Sequence, residues 1–171
     1  GQELFNEYDV VRQRFSKASL ILGYTVEEIL FHNEEKLNDT LYTQPLMFVL
    51  YASILDVLGE HGVTSTHTCG LSLGEYGALY DAGCITFEEG LFLLQERGRA
   101  MADASKDVSG KMSAILGLDA ETLEEIIAST DGYVTIANYN TYGQIVISGE
   151  EQAVLNVNEQ AQEAGAKRCI L

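Results

Sequence analysis

The five residues Gly70-Leu71-Ser72-Leu73-Gly74 constrain this chain more than any other stretch. They match G-x-S-x-G, a pattern that works as a nucleophile elbow only where a strand enters a tight turn and a helix leaves it. Both flanks read that way: residues 63–69 predict a short strand, and a helix is expected from the turn to about Gly83. Small flanking residues let the backbone reverse with no Cβ in the way. The Ser72 hydroxyl would then stand at a helix N-terminus, where the dipole and free N–H groups favour developing negative charge. The N–H of Leu73 is the expected oxyanion donor. A tight turn whose serine merely caps the helix is the alternative.

The rest of the pattern is α/β. An amphipathic helix is expected over residues 4–22, with Leu4, Phe5, Tyr8, Val11, Phe15, Ala18 and Leu22 on one side and Gly23 as C-cap. A short helix at 26–30 and a polar loop over 33–40 follow. Thr43-Gln44-Pro45 is expected to start a helix running to about Glu60, with Pro45 near its first position. Thr86 and Glu89 form a capping box for a helix over about 86–104. On its wheel Arg97 shares the apolar stripe with Gly90, Leu94 and Met101, whereas Arg99 faces water. An inward guanidinium needs an anion: an internal carboxylate, water reached by snorkelling, or the carboxylate of a substrate. Beyond Ser109-Gly110 the order becomes strand (112–117), helix (119–129), strand (133–139), strand (144–148), helix (151–164) and strand (167–171), a βαββαβ, ferredoxin-like series.

With 171 residues, 46% of them apolar and 21% charged, the chain has the make-up of an ordinary globular protein. A net charge of −16 argues against nucleic acid as partner. The apolar stretch 45–55 is too short to span a bilayer and no secretory leader is expected, so no membrane partner is expected either. Cys69, Cys84 and Cys169 form no CxxC pair, which fits a reducing cytoplasm and predicts no metal site and no disulfide framework.

Several motifs occur in a telling order: Leu41-Tyr42-Thr43-Gln44-Pro45, the Ser72 elbow with Glu75-Tyr76, Arg97-Gly98 with Met101, Gly110-Lys111-Met112, Ala137-Asn138-Tyr139-Asn140, residues 144–149 and Gly165-Ala166-Lys167-Arg168. Together they resemble the malonyl-CoA:acyl carrier protein transacylase family of bacterial type II fatty acid synthesis. The resemblance implies covalent ping-pong transfer of a malonyl group from coenzyme A, through an ester on Ser72, to the phosphopantetheine thiol of acyl carrier protein. It implies Arg97 as the residue that holds the malonyl carboxylate. Gln44, Asn138 and Asn140 map to substrate-lining positions; for both asparagines a turn-forming role stays open. No bound cofactor is implied.

The resemblance also implies a fold: residues 1–109 as the front part of a large α/β-hydrolase-like subdomain, and 110–171 as a ferredoxin-like small one. Leu71 stands where the family often has histidine. The family's oxyanion-forming Gly-Gln-Gly loop and its catalytic histidine fall before and after these residues, so the chain is expected to be incomplete at both ends. His32, His61 and His67 are its only histidines; His67, expected within the strand feeding the elbow, is poorly placed as base. A polyketide extender-loading acyltransferase, a serine esterase or thioesterase, and an inactive fragment are the competing readings.

Overall fold

The amphipathic run expected as one helix over residues 4–22 is broken at Tyr8. In this computed structural model, which describes residues 1–106 and 109–171, it forms α1 (Gln2–Glu7) and α2 (Asp9–Leu22), with Tyr8 extended between them. Arg12 explains the break. Its Nη1 donates to the carbonyls of Phe5 and Asn6 at 2.6 and 2.9 Å, supplying the end of α1 with partners that a continuous helix would take from its own next turn. The apolar face survives the interruption, since Val11, Phe15, Ala18 and Leu22 are all buried. Gly23, at φ 78°, closes α2 as expected.

Next come α3 (Val26–His32), α4 (Glu34–Leu37) and α5 (Thr40–Glu60). Two expectations change here. The polar loop at 33–40 holds a helical turn, capped by the Asn33 side chain on the N–H of Lys36. And α5 starts at Thr40, capped by Asp39 on the N–H of Leu41, so Pro45 lies inside the helix rather than at its first position. At 21 residues α5 is long and apolar enough to cross a membrane, contrary to the reading of a shorter 45–55 stretch. Here Leu46, Phe48, Val49 and Ala52 are instead fully buried in the core with α2.

Helices α6 (Gly74–Asp81) and α7 (Phe87–Ser105) complete this part. The capping box is formed: the Thr86 N–H and hydroxyl donate to Glu89, and Thr86 Oγ1 accepts from the N–H of Glu89 at 3.2 Å. Residues 63–69, expected as a strand, form none. A strand exists only as part of a ladder, and among the described residues every other strand lies beyond residue 109.

Arg14 ties α2, α5 and α6 together. Its Nε and Nη2 each meet a carboxylate oxygen of Asp56 at 2.7 Å, Nη2 also donates to the Tyr80 hydroxyl at 3.0 Å, and the guanidinium lies 4.4 Å from the centre of the Phe87 ring. Burial works against the charged form of Arg14, and the Asp56 carboxylate more than offsets it, raising the pKa. Asp56→Ala should therefore cost about 3 kcal/mol, because it leaves a largely buried cation unpaired. Arg14→Met with Asp56→Leu should cost much less. Urea unfolding of the two single variants and the double one checks the coupling; additive losses would refute it.

The Tyr24 hydroxyl is buried and, among the described residues, has no hydrogen-bond partner. Burial, and then the nearby Tyr42, push its pKa above the ordinary value of 10.0. Because the folded pKa is the higher one, the stability held by the neutral phenol is complete below about pH 10 and drains away as pH rises through the folded pKa. Tyr24→Phe should raise stability by about 1 kcal/mol at neutral pH. It should also flatten the alkaline decline, as read from thermal melts between pH 7 and 11. A variant less stable than the parent at both ends would refute the account.

The chain separates into two compact units, Gly1–Asp103 and Ala104–Leu171. The second is built on β1 (Gly110–Leu116), α8 (Ala120–Ser129), β2 (Val134–Thr141), β3 (Gln144–Glu150), α9 (Glu151–Glu163) and β4 (Arg168–Ile170). Its sheet runs β2-β3-β1-β4 with every neighbour antiparallel. Alternation puts Ile115, Ile145 and Ile147 on one face, in a core with Leu123 of α8 and Ala153, Val154, Val157 and Ala161 of α9. Asp119 caps α8 by accepting from the N–H of Thr122 at 2.9 Å, which holds its carboxyl below the usual range.

Candidate active site

Ser72 carries a φ of 55°, and among the described residues it is the only non-glycine residue in the left-handed region. Such a conformation is strained for an L-residue and persists only where the surroundings impose it. Here the turn imposes it. The N–H groups of Gly74, Glu75 and Tyr76 bond to the carbonyls of Leu71, Ser72 and Leu73 at 2.9, 3.2 and 3.2 Å. Gly70 approaches so closely that a Cβ there would lie 2.0 Å from the carbonyl carbon of Gly74. Leu73, the N-cap of α6, donates its N–H to no backbone carbonyl among the described residues. Beneath the turn lies an open groove of about 420 Å³ lined by Tyr51, Leu55, Thr68, Cys69 and Ala78.

Two helices bring side chains to the serine. Arg97 of α7 donates from Nη2 to Ser72 Oγ at 2.9 Å and from Nη1 to Gln44 Oε1 of α5. Gln44 is buried, and its Nε2 donates to Met101 Sδ at 3.2 Å. Among the described residues the partners of Arg97 are thus neutral side chains, so its charge is met there by dipoles rather than by a carboxylate. This arrangement can offer guanidinium donors to an anion beside the serine hydroxyl.

Ser72, Leu73, Arg97 and Gln44 therefore meet in the first unit. Asn138 and Asn140 lie on β2 of the second, where the pairing with β3 shifts twice: between Ile136 and Asn138, and between Tyr139 and Thr141. Asn138 is half-buried; Asn140 is exposed and donates to Gln144 Oε1 at 3.1 Å. His67 sits in an exposed loop rather than a strand, its Nδ1 3.2 Å from Thr66 Oγ1. His32 ends α3, and His61 caps α5. The contact of Met101 with Gln44 had one signal in the sequence, its spacing of one helical turn from Arg97.

The acyl transferase domain family matches residues 1–170. The chain belongs to the acyl transferase family. Among curated relatives of this acyl transferase chain, the malonyl CoA-acyl carrier protein transacylase of Bacillus subtilis is 36% identical over 174 residues. That match takes in 99% of this chain but 55% of the relative, so the chain spans about half of the protein it matches. Among solved structures, MCAT from Streptococcus pneumoniae is 42% identical with a TM-score of 0.89, over 99% of this chain and 56% of that one. A malonyl-transacylase solved in complex with a type II PKS acyl-carrier protein is 36% identical with a TM-score of 0.91, over 98% of this chain and 55% of that one.

Proposed function

We propose that these residues are the nucleophile-bearing part of a transferase that moves a malonyl group from coenzyme A to the phosphopantetheine thiol of acyl carrier protein, for fatty acid biosynthesis. The observation that carries this is the strained Ser72, its hydroxyl 2.9 Å from Arg97 Nη2 at the start of α6. Ser72 Oγ attacks the thioester carbonyl, its proton goes to a base, and the oxyanion takes the Leu73 N–H as one donor. The C–S bond breaks, releasing the coenzyme A thiol and leaving malonyl esterified to Ser72. The carrier-protein thiol then attacks the ester carbonyl, and Ser72 Oγ leaves and regains a proton. Arg97 holds the malonyl carboxylate throughout, and Gln44 fixes Arg97. Asn138 and Asn140 are assigned to the substrate lining on motif order alone. The base is a histidine from outside these residues.

The antiparallel sheet order β2-β3-β1-β4, with helices after β1 and β3, supports a ferredoxin-like small subdomain over 110–171. The strained turn at Ser72 leading into α6 supports an α/β-hydrolase-like setting for 1–109, in which residues 63–69 would pair with strands contributed by a longer chain. Three free cysteines fit a cytoplasmic protein. Incubating a transferase of the relatives' full length, carrying this sequence, with malonyl-CoA and no acceptor should leave one malonyl ester per chain. Peptide mass mapping should place it on Ser72; label on Cys69, or none, would refute the reading.

The carrier protein is the acidic partner of that reaction. Arg12, Arg14, Lys17, Arg99 and Lys111 are paired with Asp9, Asp56, Glu88, Glu96 and Glu151. Lys167 and Arg168 stand side by side in exposed positions at β4. The KM for carrier protein should rise with ionic strength, and Arg168→Glu should raise it about tenfold, with malonyl-CoA loading unchanged. A salt-independent KM would rule out an electrostatic dock. An extender-loading role in polyketide synthesis is the second reading, favoured by the relative solved with a type II PKS carrier. Preference for a polyketide over a fatty acid carrier protein in the transfer assay would select it.

A further inference from the structure

Helices α5 and α7 come into near contact at Gly98, where a Cβ would stand 3.2 Å from the Thr40 carbonyl oxygen and 3.4 Å from Leu41 Cα. A Cβ there would be a tight contact, which the facing backbone could meet only by giving way a few tenths of an ångström. Gln44 lies one turn further along α5. In α7 Arg97 precedes Gly98, and Met101 follows one turn later on the face that carries Arg97. This crossing therefore sets three side chains in a row.

Gln44 is 3% exposed, so both ends of its amide must find partners inside the unit. Its Oε1 accepts from Arg97 Nη1, and its Nε2 donates to Met101 Sδ at 3.2 Å. A guanidinium only donates and a thioether only accepts. The two neighbours thus select one sense of the amide. Turned over, it would set N–H against N–H at Arg97 and oxygen against sulfur at Met101. Met101 is 46% exposed, so filling the core is not its main task here. Leu91 and Leu94 of the same helix, both fully buried, do that.

We infer that Met101 is a positioning residue for substrate selectivity: its sulfur holds the Gln44 amide, Gln44 holds one nitrogen of Arg97, and the other nitrogen is thereby kept at the Ser72 hydroxyl. The inference rests on Arg97 binding the acyl carboxylate, as proposed above. Without the sulfur, the buried Gln44 N–H loses its acceptor, and the amide leaves Arg97 to find another. The guanidinium then samples orientations that no longer face the acyl group on Ser72.

The test uses the full-length transferase with Met101→Leu, which keeps volume and loses the acceptor, and Met101→Gln, which supplies an oxygen acceptor. Met101→Leu should lower kcat/KM for malonyl-CoA about tenfold and leave acetyl-CoA within about twofold. Met101→Gln should recover most of the malonyl rate. A packing role makes the opposite forecast: leucine tolerated, glutamine harmful to both substrates. Malonyl transfer retained in Met101→Leu, or equal losses for the two substrates, overturns the inference. Arg97→Ala measured alongside separates the two readings. If it harms both substrates alike, the carboxylate reading has failed. If it is selective for malonyl while Met101→Leu is silent, only the positioning role has.

Discussion

Ser72→Ala should lower transfer on the order of 10⁶-fold, the scale on which removing a serine nucleophile acts, and should leave no acyl ester on the chain after incubation with malonyl-CoA. The backbone makes a sharper version possible. At φ 55° serine and alanine are equally strained, whereas glycine is not. Ser72→Gly should therefore be as inactive as Ser72→Ala and more stable than wild type by about 1 kcal/mol. Stability gained together with activity lost marks strain kept for function, and a cap residue behaves differently. If Ser72 only capped the turn, both variants would keep transfer and lose stability. Single-turnover acylation followed by mass spectrometry, with urea unfolding of the three proteins, distinguishes these outcomes.

Arg97→Ala should lower malonyl transfer about a hundredfold or more, because the substrate carboxylate would enter a half-dry site without its partner. Acetyl-CoA has no carboxylate, so its kcat/KM should hold or rise. The partners of Arg97 bear on stability. Among the described residues they are the neutral Gln44 and Ser72, so removing the cation leaves no carboxylate there unpaired and Tm should change little. Arg97→Lys should recover only part of the malonyl rate, since an ammonium lacks the planar fork that meets two carboxylate oxygens at once. Comparing kcat/KM for both thioesters in the three proteins, beside thermal melts, checks this. Equal losses with a lowered Tm would make Arg97 a structural residue.

Features encoded over three or four residues could be read from the sequence, because their partners are neighbours in the chain. The Thr86–Glu89 box, the Asp119 start of α8, the Gly23 stop and the order of elements from β1 to β4 are of this kind. So is the elbow, whose spacing alone puts Gly70 against Gly74 and Ser72 between them. Helical spacing likewise puts Arg97 on the inner face of α7, but it carries no information about α5, so it leaves an internal carboxylate open as partner where the fold places Gln44.

What only the tertiary structure decided depends on contacts between distant residues. Val11 and Phe15 continue the stripe of Leu4 and Phe5, so periodicity gives one helix; Arg12, reaching back to two carbonyls of α1, makes it two. Residues 63–69 have the composition of a strand, but a strand's hydrogen bonds go to another strand, and among the described residues none pairs with them. Arg14 and Asp56 stand 42 residues apart, and Gln44 and Met101 57 apart, so no local pattern links either pair. By itself the sequence determined a tight turn around Ser72 at the head of a helix; the strained backbone of Ser72 came only with the structure. Only the packing of α5 against α7 at Gly98 decided that a buried amide, itself held by a thioether, would bring Arg97 to its hydroxyl. A tight turn follows from residue types at close spacing, whereas hydrogen bonding between helices depends on where the whole core places them.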